Sequence, residues 1–279
     1  MTVLAAVFTA IAAWWLATGV VIVLARQGDR RFGMVMALVT LIAFAGLAGL
    51  AFTLDGKTTA SAYAAFFSAL ALWAWHETTF LIGLVTGPRR IGIADLPVET
   101  SRFRAAFLTV RDHELALAAT AIAMLLFMHD ADNKTGLMTF LLLWVMRIST
   151  KLNIFMGAQY AVSDMLPERL AYLKSYFRTD RTSRWFYVSL TGSFLLFSYL
   201  VVLVSGSQTS HDTVKWSLLA TFAGLALVEH LFLVLPVKDS ALWSWAMARS
   251  EAKKDKDRDT AALSPTKPTL ENPRATARA

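Results

Sequence analysis

Four short groups of ionisable residues interrupt long apolar runs of this sequence. The groups are His76 with Glu77, His113 with Glu114, Arg147 with Lys151, and Glu229 with His230. In the hydrocarbon core of a membrane, one charged side chain costs about 2.5–3.5 kcal/mol even on the mildest insertion scale, so such residues usually face one another or a bound ligand. These groups are therefore the first candidates for a functional site.

One interpretation of the four groups is an internal network of ion pairs. Three carboxylates, those of Glu77, Glu114 and Glu229, would balance the cations of Arg147 and Lys151. The histidines would satisfy the remaining polar atoms. Membrane helix bundles use buried polar side chains in this way to hold helices together. Under this interpretation the groups stabilise the fold.

A second interpretation is a pocket for a tetrapyrrole. A neutral histidine coordinates metals through a ring nitrogen, so His76 and His230 are the candidate ligands for the magnesium of bacteriochlorophyll or of a precursor. Arg147 and Lys151 would then bind a carboxylate or phosphate, a role for which the planar guanidinium group is suited.

A third interpretation is a metal-dependent enzyme of the di-iron kind. Such a site needs Glu-x-x-His spacing on facing helices. Each histidine of the groups instead stands directly next to a glutamate, and adjacent residues of a helix point about 100° apart. We therefore predict no catalytic residues, and a metal-dependent enzyme of tetrapyrrole metabolism stays an alternative.

The composition narrows the class of protein. Hydrophobic residues make up 56% of the 279 residues and charged residues only 17%, whereas a soluble domain is about a quarter charged. The chain contains no cysteine, which excludes disulfides, thiolate zinc sites and iron–sulfur ligation. The net charge of +7 comes from basic residues in short loops and a tail, as membrane topology requires, so we predict no nucleic-acid partner.

Long apolar stretches predict an all-α fold, a polytopic membrane helix bundle of about seven transmembrane helices. About 20 apolar residues cross a bilayer core of about 30 Å. The stretches that qualify are residues 3–25, 34–54, 61–85, 113–129, 136–159, 187–206 and 216–236. With the N-terminus outside and the C-terminus in the cytoplasm, most arginines fall in cytoplasmic loops, as the positive-inside rule requires.

The depth of the four groups follows from the rise of 1.5 Å per residue. The third span is expected to end near Thr86, which puts His76 and Glu77 roughly 13–15 Å inside the membrane. The seventh is expected to end near Pro236, with Glu229 and His230 roughly 9–11 Å inside. His113 and Glu114 are expected to begin the fourth span. The groups then share the cytoplasmic leaflet and converge in one cavity.

Three segments are predicted to lie outside the spans. Residues 87–112, rich in Gly, Pro and Arg, indicate an ordered loop. Residues 165–177 place Leu166, Leu170, Leu173 and Phe177 on one helical face, which is typical of a helix on the membrane surface. Residues 250–279 are charged and lack aromatic side chains, so we expect a disordered cytoplasmic tail after a transmembrane domain at 1–249.

Four strings of the sequence resemble a known family. They are WAWHETTFLIGLVTGPRR, RDHELALAATAIAMLLFM, WVMRISTKLNIFMG and LVEHLFLVLPVKDSALWSWAM. With their spacing, they make residues 1–249 similar to PuhE, the photosynthetic complex assembly protein of purple and aerobic anoxygenic phototrophic bacteria. The third string contains Arg147, Lys151, Asn153 and Gly157, and we include Asn153 in the predicted ligand-binding or ion-pair cavity.

The resemblance implies a role in assembling the photosynthetic reaction centre and light-harvesting complex, through bacteriochlorophyll supply or subunit maturation. It implies a multi-pass protein of the bacterial inner membrane, cytoplasmic or intracytoplasmic, with reaction-centre or light-harvesting subunits as partners. The family carries over no catalytic residues. We therefore hypothesise an assembly factor whose inner-leaflet cavity holds bacteriochlorophyll, a precursor or a subunit helix. A non-catalytic scaffold that binds protein partners is the alternative.

Overall fold

The computed structural model of the protein describes residues 1–95, 101–161, 166–237 and 239–247. Every regular element in this part of the chain is helical. The predicted tail, residues 250–279, lies outside the described residues. Its disorder and the domain boundary at residue 249 stay predictions.

The α-helices of the described residues form a bundle. They are α1 (Thr2–Phe52), α2 (Thr59–Leu81), α3 (Arg102–Phe127), α4 (Thr135–Met156), α5 (Arg184–Ser205) and α6 (Ser210–Phe232). Short 3₁₀ helices cover Ile93–Asp95, Glu168–Tyr176 and Asp239–Trp243. Two of the α-helices begin at side-chain caps, where Thr58 accepts a hydrogen bond from the backbone N–H of Ser61 and Thr209 accepts one from that of Asp212. Such caps satisfy backbone donors that the first helical turn leaves free.

The first helix contains two of the predicted spans. Its helical backbone is broken at Arg31, where φ is −131° and ψ is 37°. The segments Thr2–Gly28 and Arg31–Phe52 are each long and apolar enough to cross a membrane. The first two predicted spans are therefore joined by a kink in one helix, where the sequence predicted a loop.

Five segments of the described residues have the length and hydropathy of a membrane span. Besides the two parts of α1, they are α4, α5 and α6. The predicted third and fourth spans fall in α2 and α3, which have 23 and 26 residues. The all-helical, multi-pass class is confirmed at this level. The total of seven spans and the orientation of the termini stay predictions.

The predicted loop over residues 87–112 was wrong for its last eleven residues. Residues 102–112 belong to α3, not to a loop. A buried stripe explains the difference, because Ala105, Thr109, His113 and Leu117 recur every four residues along one face of the helix. That stripe runs through the charged residues that suggested a loop. His113 and Glu114 therefore lie near the middle of a helix.

Helices α2 and α6 also end earlier than the predicted third and seventh spans. Helix α2 ends at Leu81, and the chain then turns through Gly83, whose φ of 76° ends the helix. Helix α6 ends at Phe232. Glu77 thus lies only about 6 Å from the end of its helix, and Glu229 about 5 Å, along the helix axis.

Small residues on α1 allow close packing at the centre of the bundle. Ala6, Ala10 and Ala13 are buried against Phe66 of α2 and Phe222 of α6. The two phenylalanine rings meet edge to face with centroids 4.9 Å apart, a favoured arrangement for aromatic pairs. This core fixes the rotation of α2 and α6, and with it the direction in which their polar residues point.

The predicted amphipathic segment is helical, but it is a 3₁₀ helix over Glu168–Tyr176. Leu170 and Leu173 are buried against Phe80 of α2, with Leu166 and Phe177 packed around them. These four leucine and phenylalanine residues are the face that the sequence predicted. They pack on the helix bundle, so burial against protein accounts for their pattern.

Candidate functional site

Helix α4 is the element through which the predicted polar residues meet. It carries Arg147, Ser149, Lys151 and Asn153 within two turns, and these side chains bond to α2, α3, α5 and α6. Residues four apart lie on one face of a helix, so Arg147 and Lys151 point the same way.

The first pair joins α4 to α2. The Nη2 atom of Arg147 lies 2.9 Å from the Oε2 atom of Glu77. The Glu77 side chain is only 8% exposed, whereas that of Arg147 is 42% exposed. The carboxylate of Glu229 on α6 also attracts the positive charge of Arg147. Arg147 is thus paired on one side and accessible on the other.

The second pair joins α4 to α3. The Nζ atom of Lys151 lies 2.5 Å from the Oε1 atom of Glu114, and Trp144 donates its indole N–H to the other carboxylate oxygen at 3.2 Å. Lys151 also lies 5.4 Å from the centre of the Phe80 ring, a cation–π contact. This carboxylate therefore has a partner on each of its oxygens.

Neutral hydrogen bonds join α4 to α5 and α6. The hydroxyl of Ser149 and the Nε2 atom of His230 are 2.8 Å apart. Asn153, which is fully buried, donates to the hydroxyl of Ser189 at 2.8 Å and to the backbone carbonyl of Ser149 at 3.0 Å. These bonds satisfy polar groups that would be costly to bury alone.

The two candidate magnesium ligands, His76 and His230, differ in whether a ring nitrogen is free to coordinate a metal. Both ring nitrogens of His230 are engaged, because Nδ1 lies 2.7 Å from the backbone carbonyl of Ala226 while Nε2 bonds to Ser149. His230 could bind a metal only after losing one of these bonds, so it does not fit the predicted role. His76 shares a hydrogen bond with Thr120 through Nε2 at 2.9 Å, and its buried Nδ1 has no partner among the described residues. His76 fits the donor chemistry.

His113 is the unexpected member of the group. Its side chain has no exposed surface, and neither ring nitrogen has a hydrogen-bond partner within the described part of the chain. The ring lies against that of Phe80 with centroids 4.6 Å apart. Two unsatisfied nitrogens in one buried imidazole are uncommon.

The remaining predicted residue, Glu229, is bonded to α1. Its Oε1 atom accepts the indole N–H of Trp14 at 2.8 Å, and Trp14 packs edge to face on Trp243. Sequence reasoning missed Trp14 as a partner, because nothing in the local pattern connects residues 215 positions apart. Trp144 was also missed, although its position three residues before Arg147 places it on the same helical face.

The donor set limits the metals that the site could hold. Among the described residues, no group of three or more His, Cys, Asp or Glu side chains is placed to bind a metal ion. A single axial ligand to a tetrapyrrole metal needs only one imidazole. Of the two predicted ligands, His76 retains that capacity.

Comparison with known proteins places the chain in a family. The model of a family described as "Protein of unknown function (DUF3623)" matches residues 1–254. The chain belongs to this family. It is 33% identical over 249 residues, or 87% of this chain and 90% of the relative, to a protein of Rhodobacter capsulatus named "Uncharacterized 30.4 kDa protein in puhA 5'region". No solved structure matches the chain.

The family match covers every residue of the candidate site. The nine predicted residues lie between His76 and His230, inside the range 1–254 that the family model matches. The site is thus part of the shared region of the DUF3623 family, and the chain that follows residue 254 is not.

Proposed function

We propose that the protein is an integral membrane assembly factor for a photosynthetic reaction centre and light-harvesting complex. The support is the relative named for its position in the puhA 5' region, together with the resemblance to PuhE. In this proposal the chain crosses a bacterial inner membrane seven times, with the N-terminus outside and the C-terminus in the cytoplasm. Helices α2 and α3 then supply the two spans beyond the five apolar segments.

The accessibility of Arg147 carries the proposal about mechanism. An arginine whose side chain is 42% exposed near the middle of an apolar helix would be costly against lipid tails. Its accessible side therefore faces a crevice or a partner. A second acidic group that enters there would bind Arg147 with charge-assisted hydrogen bonds. Reaction-centre or light-harvesting helices with an acidic side chain, and bacteriochlorophyll precursors with a free carboxylate, both offer such a group.

The non-catalytic scaffold is favoured by a different observation. Glu77, Glu114, Lys151, Asn153 and His230 all have partners inside the chain. A network in which these side chains bond to one another stabilises the bundle and leaves recognition to outer surfaces. In that case replacing one member changes stability and leaves the partners bound.

A substitution at Arg147 separates the two functions. In an anoxygenic phototroph whose own copy is deleted, we expect Arg147→Gln to reduce assembled complexes while the protein still accumulates in the membrane. Arg147→Lys should restore part of the assembly. The control is Lys57→Gln, which removes one cation from an exposed ion pair. Normal assembly with Arg147→Gln would refute the mechanism and leave the scaffold.

Pigment binding is tested on the purified protein. The absorption spectrum of the protein from a pigmented host should show bacteriochlorophyll or a precursor, and His76→Ala should lower the pigment content while His230→Ala should not. A pigment-free preparation would remove the pigment from the proposal. A reaction-centre or light-harvesting subunit that co-purifies would then identify the helix as the occupant.

Topology is testable because the chain has no native cysteine. A single cysteine at Lys57→Cys should react with an impermeant thiol reagent added outside the cell. A single cysteine at Arg181→Cys should react only after the membrane is opened. The reverse pattern would refute the proposed orientation.

A further inference from the structure

A basic cavity lies where α4 ends and α5 begins. Its volume is about 360 Å³. Its lining includes Arg102, Arg178, Arg181, Arg184, Phe155 and Trp185. A structural ion pair needs one cation, whereas four arginines line this one small cavity. None of the nine residues of the candidate site lines this cavity.

The backbone conformation at the end of α4 brings the arginines of the cavity together. Gly157 has φ of +145°, a conformation that only glycine adopts readily. The segment after the 3₁₀ helix Glu168–Tyr176 packs against the backbone at Gly157. Ala158 donates its N–H to the carbonyl of Arg178 at 2.8 Å, and Ser183 donates its N–H to the carbonyl of Gly157 at 3.1 Å. A Cβ atom on Gly157 would lie 2.6 Å from the carbonyl oxygen of Arg181. The cavity is therefore built by close backbone contact.

The four arginines are unequally engaged. Arg102 is anchored, since it donates to the carbonyl of Tyr176 at 2.9 Å and its guanidinium lies 5.0 Å from the centre of the Phe155 ring. Arg178 lies 3.3 Å from the carboxylate of Asp180. Arg181 and Arg184 are exposed and have no hydrogen-bond or ion-pair partner among the described residues. The cluster has a fixed base and two free cations.

Neutral donors of the cavity are also unpaired. The indole Nε1 of Trp185 and the hydroxyl of Ser183 are buried without a hydrogen-bond partner among the described residues. Ser183 is the N-cap residue of the 22-residue helix α5, but its side chain caps nothing. Helix N-termini attract anions through their free backbone N–H groups. The residues that carry these unsatisfied donors line the same cavity as the two free arginines.

We propose that this cavity is a binding site for a phosphate group. Arginine binds phosphate through two parallel hydrogen bonds, and the helix terminus, Ser183 and Trp185 add further donors. Because α4 and α5 are both candidate membrane spans, their joined ends lie at one membrane boundary, where phospholipid head groups lie. Phe155, Met156 and Trp185 give the lining an apolar side that suits a lipid glycerol. Basic pockets between helices bind anionic lipids in this way.

Asp180 competes with the ligand for one of the arginines. Its hydrogen bond with Arg178 keeps the pKa of Asp180 below the ordinary value, so this carboxylate is ionised at neutral pH. A phosphate that enters the cavity must displace or share the contact between Asp180 and Arg178. Removing the carboxylate should therefore strengthen binding.

The test measures lipid binding to the full-length, delipidated protein in detergent. The probes are phosphatidylglycerol, phosphatidylcholine and inorganic phosphate. We expect phosphatidylglycerol to bind more tightly than phosphatidylcholine, whose choline cation the arginines repel. The double variant Arg181→Gln/Arg184→Gln should weaken phosphatidylglycerol binding by about tenfold, the effect of losing about 1.4 kcal/mol. The control, Arg104→Gln/Lys174→Gln, removes two exposed cations outside the cavity and should bind as the wild type does.

The variant Asp180→Asn distinguishes loss of the site from loss of the fold. We expect it to tighten binding by a few fold, a gain that misfolding cannot produce. Binding of inorganic phosphate without any preference for phosphatidylglycerol would identify a soluble phosphate compound as the occupant. If neither phosphatidylglycerol nor inorganic phosphate binds, the proposal is wrong. It is also wrong if the double arginine variant and the control variant weaken binding equally.

Discussion

The ion pair between Glu77 and Arg147 gives the most demanding prediction. At the observed separation of 2.9 Å, two unit charges attract by about 6 kcal/mol at an effective dielectric constant of about 20. Much of this attraction offsets desolvation, so the measurable quantity is the cost of breaking the pair. Removing one partner of a buried ion pair costs about 3–5 kcal/mol.

The exposure of Arg147 sets where in that range Glu77→Gln should fall. Glu77 is 8% exposed and Arg147 is 42% exposed, so the arginine is partly able to find other partners, including Glu229. We therefore expect the substitution to lower the free energy of unfolding by about 3 kcal/mol, the lower end of the range. A double-mutant cycle with Arg147→Gln should give a coupling free energy of about 1–3 kcal/mol.

The assay is reversible unfolding of the purified protein by SDS in mixed micelles, followed by circular dichroism. The matched control is the ion pair of Lys57 and Asp132, whose atoms are also 2.9 Å apart but whose side chains are 69% and 50% exposed. Its coupling should be below about 0.5 kcal/mol, as for other exposed pairs. Equal coupling in the two cycles would refute the conclusion that Glu77 and Arg147 form a buried link between α2 and α4.

Three further predictions follow from single residues. Gly157→Ala should lower the free energy of unfolding by more than about 1 kcal/mol, because of its positive φ and the nearby backbone; Gly192→Ala, with no atom within 4 Å of the new Cβ, should be neutral or stabilising in the same SDS assay. Asn153→Ala should cost about 1–3 kcal/mol, since it removes two buried hydrogen bonds, and an unchanged unfolding midpoint would contradict the buried contact with Ser189. Burial raises the pKa of Tyr172 above 10.0, so its contribution to stability is full below the unfolded-state pKa and is lost as the pH rises through the folded-state value. Unfolding measured between pH 9 and 11 should therefore show a steeper loss for the wild type than for Tyr172→Phe, and parallel curves would exclude this contribution.

Hydropathy predicted the helices well and their ends poorly. Each of the seven predicted stretches overlaps a helix of the structure. The start of α3 was missed because Arg102, Arg104 and Arg111 resemble a loop when charge alone is counted. The four-residue recurrence of Ala105 and Thr109 was the better signal, since burial on one face decides whether such a segment is helical.

The sequence predicted that the ionisable residues of the four groups would form contacts, but it did not predict which residues would pair. Glu77 pairs with Arg147, and Glu114 with Lys151, because the core around Phe66 and a second core that joins Leu117 of α3 to Phe140 of α4 fix how the helices are rotated. Glu229 instead bonds to Trp14, which lies on the first helix of the chain. Such a contact depends on the order of helices in the bundle, and no short-range pattern encodes that order.

The contacts of α4 follow the direction of synthesis. Its two cations pair with Glu77 and Glu114, which leave the ribosome before α4 does. Its neutral groups, Ser149 and Asn153, bond to His230 and Ser189, which are made afterwards. A nascent chain can thus neutralise both charges as soon as α4 enters the translocon, and only uncharged groups wait for the C-terminal helices. Each cation of α4 thus has a carboxylate partner that is synthesised before it.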